Sequence, residues 1–152
     1  MQIMIRDSKE FGQLLKALAD EMVSAWFHFR LYSDLKSDVN NYVTELNQSL
    51  AFWSLTFRAH IDTVLSRLCR IYDQHSSSLN LRNFLDTILA NINIFDVEHF
   101  RERLKDNPFV DSLASGPTKP DIEQLKKDIH YVSEANPSVK TLLIWRKQYY
   151  SS

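Results

Sequence analysis

In the closing segment NPSVKTLLIWRKQYYSS, helical spacing puts Arg146 on one face with Leu142, Leu143, Tyr149 and Tyr150. That face is expected to be buried. A guanidinium there requires an acidic partner, a water-filled cleft or a ligand anion, because an unpaired buried charge costs several kcal/mol. In the structural reading, the methylenes pack on the tyrosines and the head pairs with Asp62 or Asp73 from an earlier helix. In the functional reading, the planar fork points into a groove and holds a phosphate, a task for which arginine is better built than lysine.

A second polar set lies in FRAHIDTVLSRLCRIYD. Arg58 and Asp62 are spaced to pair, as are Arg70 and Asp73. His60 and Arg67 fall where an unbroken heptad would place core residues. The set reads either as a helix flank laced with ion pairs and one hydrogen-bonded histidine, or as ligand-binding machinery. The aromatic run AWFHFRLY, residues 25 to 32, is expected to be core and helix–helix interface rather than a base-stacking platform.

Other chemistries lack their motifs. The five histidines, His28, His60, His75, His99 and His130, show no HxxxH or HExxH spacing, so no metal is called for. There is no glycine-rich phosphate loop and no GxSxG elbow. Cys69 is the only cysteine, which excludes an intrachain disulfide and any CxxC motif and fits a reducing compartment. On a helical pattern it reads as a small core residue. No cofactor is expected.

These residues need elements to position them, and the composition favours helices. The 152 residues are 44% apolar and 12% aromatic, with only two glycines and four prolines for turns. That length suits one domain with one core. The net charge of -1 provides no global field for nucleic acid or a membrane surface, so any anion site must be local. The N-terminus MQIMIRDSKE has no signal-peptide core, and the longest uncharged run, LNQSLAFWSLTF, is too short to span a membrane. The expected setting is soluble and cytoplasmic, with no membrane partner.

Asp7 and Glu10 resemble a capping box, and Phe11, Leu14, Leu15, Leu18, Met22, Trp26 and Phe29 then predict a first helix to about Tyr32. From Val39 a heptad seam runs through Val43, Leu46, Leu50, Trp53 and Phe57, slips before Ile61, and continues through Val64, Leu68 and Ile71. This predicts one long second helix, on the order of 50 Å. QHSSSLN closes it, and Asn80 and Asp96 are placed to cap two short helices. Residues 106–120, with three of the four prolines, form the expected long loop or arm. Thr118 with Asp121, and Asn136 with Pro137, open two final helices. The expected fold is an all-α bundle of one domain, residues 1–152, built on two long antiparallel helices with shorter helices packed around them.

The order RLCRIYD, then SLNLRNFLDTI, then VKTLLIWRKQYY resembles the abortive-infection type of HEPN domain over roughly residues 20 to 150. That resemblance implies a helical bundle that forms a homodimer and is related to metal-independent ribonuclease toxins of phage-defence and toxin–antitoxin systems. RNA is then the implied ligand, and an antitoxin or other protein an implied partner. The family signature is an arginine followed, after four to six intervening residues, by a histidine. Arg146 matches the arginine. Ser151 and Ser152 occupy the first two positions open to the histidine, and the third lies past the last residue. The sequence is therefore either a non-catalytic member or one that stops short of the histidine.

With a histidine present, a general base would take the ribose 2′-hydroxyl proton while arginine stabilises charge on the phosphate. Without it, the 152 residues are expected to have little or no ribonuclease activity. On this reading Arg146 is the catalytic-site residue, with Arg58, His60, Asp62 and Arg67 binding phosphate or supporting it. The competing reading is a non-enzymatic helical module that binds a partner protein through exposed apolar seams.

Overall fold

The computed structural model describes residues 5, 8–116 and 119–150, the side chains of residues 8, 149 and 150 excepted. Asp7 and Thr118, two of the expected capping residues, lie outside them. Among the described residues there are eight α-helices and no strand.

The first helix, α1 (Ser8–Ser37), packs along α3 (Leu50–Ile71). Its inward seam is Phe11, Leu14, Leu18, Glu21, Ala25, His28, Tyr32 and Leu35, alternating steps of three and four. Contacts across the pair run in opposite directions: Glu21 meets Arg67, His28 meets His60 and Tyr32 meets Phe57. The two long helices are antiparallel. Leu35 continues the seam and no glycine or proline intervenes, so α1 passes the expected end at Tyr32 and stops at Ser37.

The single long second helix expected from Val39 is not what forms. A 3-10 turn (Val39–Asn41) and a short α2 (Val43–Gln48) precede α3, with breaks at Tyr42 and Ser49. The reason lies in the partner. With Tyr32 opposite Phe57, a straight continuation of α3 back past about position 51 would run beyond the end of α1; in the bent chain Leu46 turns back beside Leu31 and Leu35, while Val43 and Leu50 are left exposed. A helix with no surface to pack on gains little from continuing. The asparagines of VNN and Ser49 favour turns instead.

At the other end of the hairpin, α4 (Leu81–Ala90) closes the core. Phe84 joins Leu18 and Ile71 in the buried cluster and stacks on Phe11 at 5.1 Å. Asn80 caps α4 by accepting from the Asn83 N–H at 2.8 Å, as expected. A 3-10 turn (Ile92–Phe95) leads to α5 (Val97–Arg103), capped by Asp96, whose carboxylate accepts from the His99 N–H. The 106–120 segment contains a single-turn α6 (Val110–Leu113). Next, α7 (Ile122–Tyr131) packs on α4 with Asp121 as its N-cap. The last helix, α8 (Pro137–Tyr150), opens on Asn136, which accepts from the Ser138 N–H, and lies against α3.

One expectation fails at side-chain level. In AWFHFRLY, Ala25 is buried and His28 and Tyr32 are partly covered, but Trp26, Phe27 and Phe29 are 56%, 56% and 51% exposed. The apolar residues first assigned to the α1 stripe belong to two faces. Leu14 and Leu18 lie on the covered face; Leu15, Met22, Trp26 and Phe29 lie one step round the helix and are about half exposed.

Candidate functional site

The site is built on opposite faces of α3. His60, Val64, Arg67 and Ile71 recur at helical spacing on the face turned to α1. Asp62, Cys69 and Asp73 recur on the far side, where α8 packs. Val139 is buried, and Leu142 and Leu143 are partly buried, so α8 is fixed with Arg146 over the end of α3.

Arg146 meets Asp73, its Nη1 lying 3.0 Å from Oδ1. Of the two acids proposed for it, Asp73 is the partner. Asp73 lies just beyond the last turn of α3, where the chain reverses towards α4. Its Oδ1 also accepts from the His75 N–H at 3.3 Å, and its Oδ2 from the Ser78 hydroxyl at 3.2 Å. Burial pushes this carboxyl up, but the His75 N–H, the Arg146 guanidinium and the Ser78 hydroxyl together hold it below its ordinary value.

Behind the carboxylate, DQHSSSLN forms a polar knot. Asn80, fully buried, donates to the His75 carbonyl at 3.0 Å and to the Ser78 hydroxyl at 3.0 Å. Asn83 donates to the same His75 carbonyl and to the Ser78 carbonyl. From the sequence this segment reads as the stop of the second helix and, through Asn80, the cap of the next. Its density of Asp, Ser and Asn, each able to bond nearby backbone, was the available signal.

A guanidinium carries five donors, and the Arg146 side chain is 41% exposed, so the pairing with Asp73 leaves part of the fork facing outward. Burial pushes the neighbouring Cys69 thiol up, although Arg146 acts in the opposite direction. Cys69 is thus a protonated core residue rather than a nucleophile.

The remaining candidates are divided between two places. On the α1 side, Arg67 lies 2.9 Å and Arg70 3.1 Å from the same Glu21 oxygen, so Arg70 serves Glu21 rather than Asp73. Arg67 Nε is buried and has no hydrogen-bond partner among the described residues. His60 and His28 face each other with their Nδ1 atoms 2.9 Å apart, so one ring donates and the other accepts. Burial, His60 and Arg67 all lower the His28 pKa. Arg58 pairs with Asp62 at 3.6 Å on an open part of α3. His60 and Arg67 therefore do not join Arg146; helical spacing places Arg58 and Asp62 on its side of α3.

Among the described residues, no group of three or more His, Cys, Asp or Glu could hold a metal ion, and no helix is long and apolar enough to cross a membrane. No curated protein and no solved structure matches the chain. The family model HEPN_AbiU2, described as AbiU2, matches residues 8–151. That span runs from the start of α1 to just past α8, so it takes in the hairpin, the Asp73 turn and the helix carrying Arg146: the chain belongs to the AbiU2 family of abortive-infection HEPN domains.

Proposed function

We propose that this domain acts in the cytoplasm as an RNA-directed component of phage defence, with Arg146 as its phosphate-holding residue. The observation that carries this reading is the posture of Arg146: one nitrogen is held 3.0 Å from Asp73 while the side chain remains 41% exposed. Asp73 then acts as an internal counter-ion that aims the fork, and a phosphate takes the outward donors. Arg58, on the same side of α3 and about 20 Å along it, supplies a second cation for the backbone, with Asp62 setting its direction. His60 and Arg67 support the site from behind by tying α3 to α1.

Serines stand at positions 151 and 152, so within the 152 residues no histidine follows Arg146 at the signature spacing, and this stretch is expected to bind RNA. The test is single-stranded RNA binding by the wild type, Arg146→Ala and Arg146→Lys. Arg146→Ala should weaken binding about tenfold and flatten the salt dependence by about one phosphate contact, with Arg146→Lys in between. Equal affinities for all three, in folded proteins, remove the reading. Appending a histidine past Ser152 should then bring RNA cleavage.

The exposed apolar side chains of α1 favour a second reading, a protein-binding helical module. Under it, Arg146→Ala lowers stability and leaves RNA binding unchanged.

A further inference from the structure

Spacing within one helix shows no histidine pair, but the antiparallel hairpin makes one from two helices. His28 of α1 and His60 of α3 stand with their Nδ1 atoms 2.9 Å apart and their ring centroids 5.1 Å apart. Packing holds the pair from both sides. Tyr32 meets Phe57 about one turn away; in the other direction Ala25 and Val64 are buried, and Glu21 meets Arg67. Burial, His60 and Arg67 keep the His28 pKa below its ordinary value, so this ring stays neutral at neutral pH. Neutral imidazole is the form that binds a metal ion.

We infer that His28 and His60 form a two-histidine site for a copper(II) ion that bridges α1 and α3, with water filling the rest of its shell. The spacing of the two nitrogens selects the geometry. With metal–nitrogen bonds of about 2.0–2.1 Å, neighbouring corners of a square-planar shell lie about 2.9 Å apart, and tetrahedral corners about 3.3–3.4 Å apart. The 2.9 Å observed fits the square-planar case, which copper(II) adopts and zinc(II) does not. Copper(II) also stands at the top of the divalent series for nitrogen ligands.

Two adjustments admit the ion. The ring that donates through Nδ1–H moves that proton to Nε2, so both Nδ1 lone pairs are free. Each ring then turns until its lone pair points at the ion instead of at the other nitrogen. Both rings are only partly buried, which leaves an open side for that turn and for water. The surrounding charge limits the affinity. Arg67 opposes a dication beside His28, and Glu21, which pairs with both Arg67 and Arg70, offsets part of that. With two protein ligands where a tight site has three or four, binding is expected in the micromolar range.

The test is titration of the full chain with copper(II) at about pH 7.5, read by calorimetry and by electron paramagnetic resonance. The wild type should bind one ion at this site. Its spectrum should carry splittings from two imidazole nitrogens, altered when the histidines are labelled with nitrogen-15. His28→Gln and His60→Gln should each weaken binding at least about tenfold, since either leaves a single imidazole. His75→Gln and His99→Gln, at exposed histidines outside the α1–α3 contact, should bind as the wild type does. So should Arg146→Ala, which separates this site from the phosphate reading. No binding by the wild type, unchanged affinity in the His28 and His60 variants, equal weakening by either control, or a spectrum with fewer than two imidazole nitrogens overturns the proposal. The spectrum is read on the wild type, so it decides the outcome even where a variant misfolds.

Discussion

Asp73 carries two duties that pull on one carboxylate: it ties off the turn after α3 and it aims Arg146. Asp73→Asn keeps the shape but removes the charge, so Arg146 should move more freely and the fold should lose about 1 kcal/mol in urea melts. The acid limb of the stability curve reports the same group. Its folded pKa lies below the ordinary 3.8, so its contribution is complete above that value and is lost as pH falls through the folded pKa. Asp73→Asn should flatten that limb. His28 responds to a second pH window. Lowering of the His28 pKa means the fold prefers the neutral ring, so stability is complete above 6.5 and falls as pH drops below it towards the folded value. Glu21 and Arg67 stand beside the pair, paired with each other. Urea melts from about pH 7.5 down to about pH 5.5 should show this slope in the wild type and lose it in the His28→Gln/His60→Gln double variant. A slope unchanged in that variant assigns it elsewhere.

Among the elements, α1 and α4 respond to opposite kinds of change. Gly12 sits inside α1 with nothing within 4 Å of where a Cβ would stand, so Gly12→Ala should raise stability by about 0.5–1 kcal/mol, read from the melting temperature. Asn80→Ala should lower it by about 2 kcal/mol, since it removes a cap and leaves the His75–Ser78 turn short of donors. It should also loosen the seat of Asp73, and with it Arg146. Caps such as Asn80, Asp96 and Asn136 were legible in the sequence because they act on the next few residues. The start of the second helix was not. Whether Val43 and Leu50 find a partner depends on where α1 stops, and heptad spacing alone carries no such information. Arg146 was legible as a residue needing an acid. The choice of Asp73 over Asp62 waited on how α8 lies along α3, which is a tertiary fact. The split of His60 and Arg67 away from Arg146 was legible in principle, since helical spacing alone puts them on the other face of α3.

For the molecule as a whole, the balance between covered and open apolar surface is the governing quantity. The buried cluster around Leu18, Ile71 and Phe84 sits at one end of the hairpin, while Met22, Trp26, Phe29 and Leu31 remain about half open along its length. If a second copy covers that surface, folding and association are one equilibrium, and stability must depend on protein concentration. Each tenfold rise adds about 1.4 kcal/mol per dimer. At an unfolding entropy of about 2.1 cal/mol/K per residue over two chains, that corresponds to roughly 2 °C. Thermal melts of the wild type should therefore climb by about 2 °C per tenfold concentration, given reversible unfolding. Trp26→Lys should melt lower and show no such climb at concentrations where it is monomeric. A flat wild-type series, with the same midpoint as Trp26→Lys, would mean that the hairpin stands on its own core and that its open flank contributes nothing to stability.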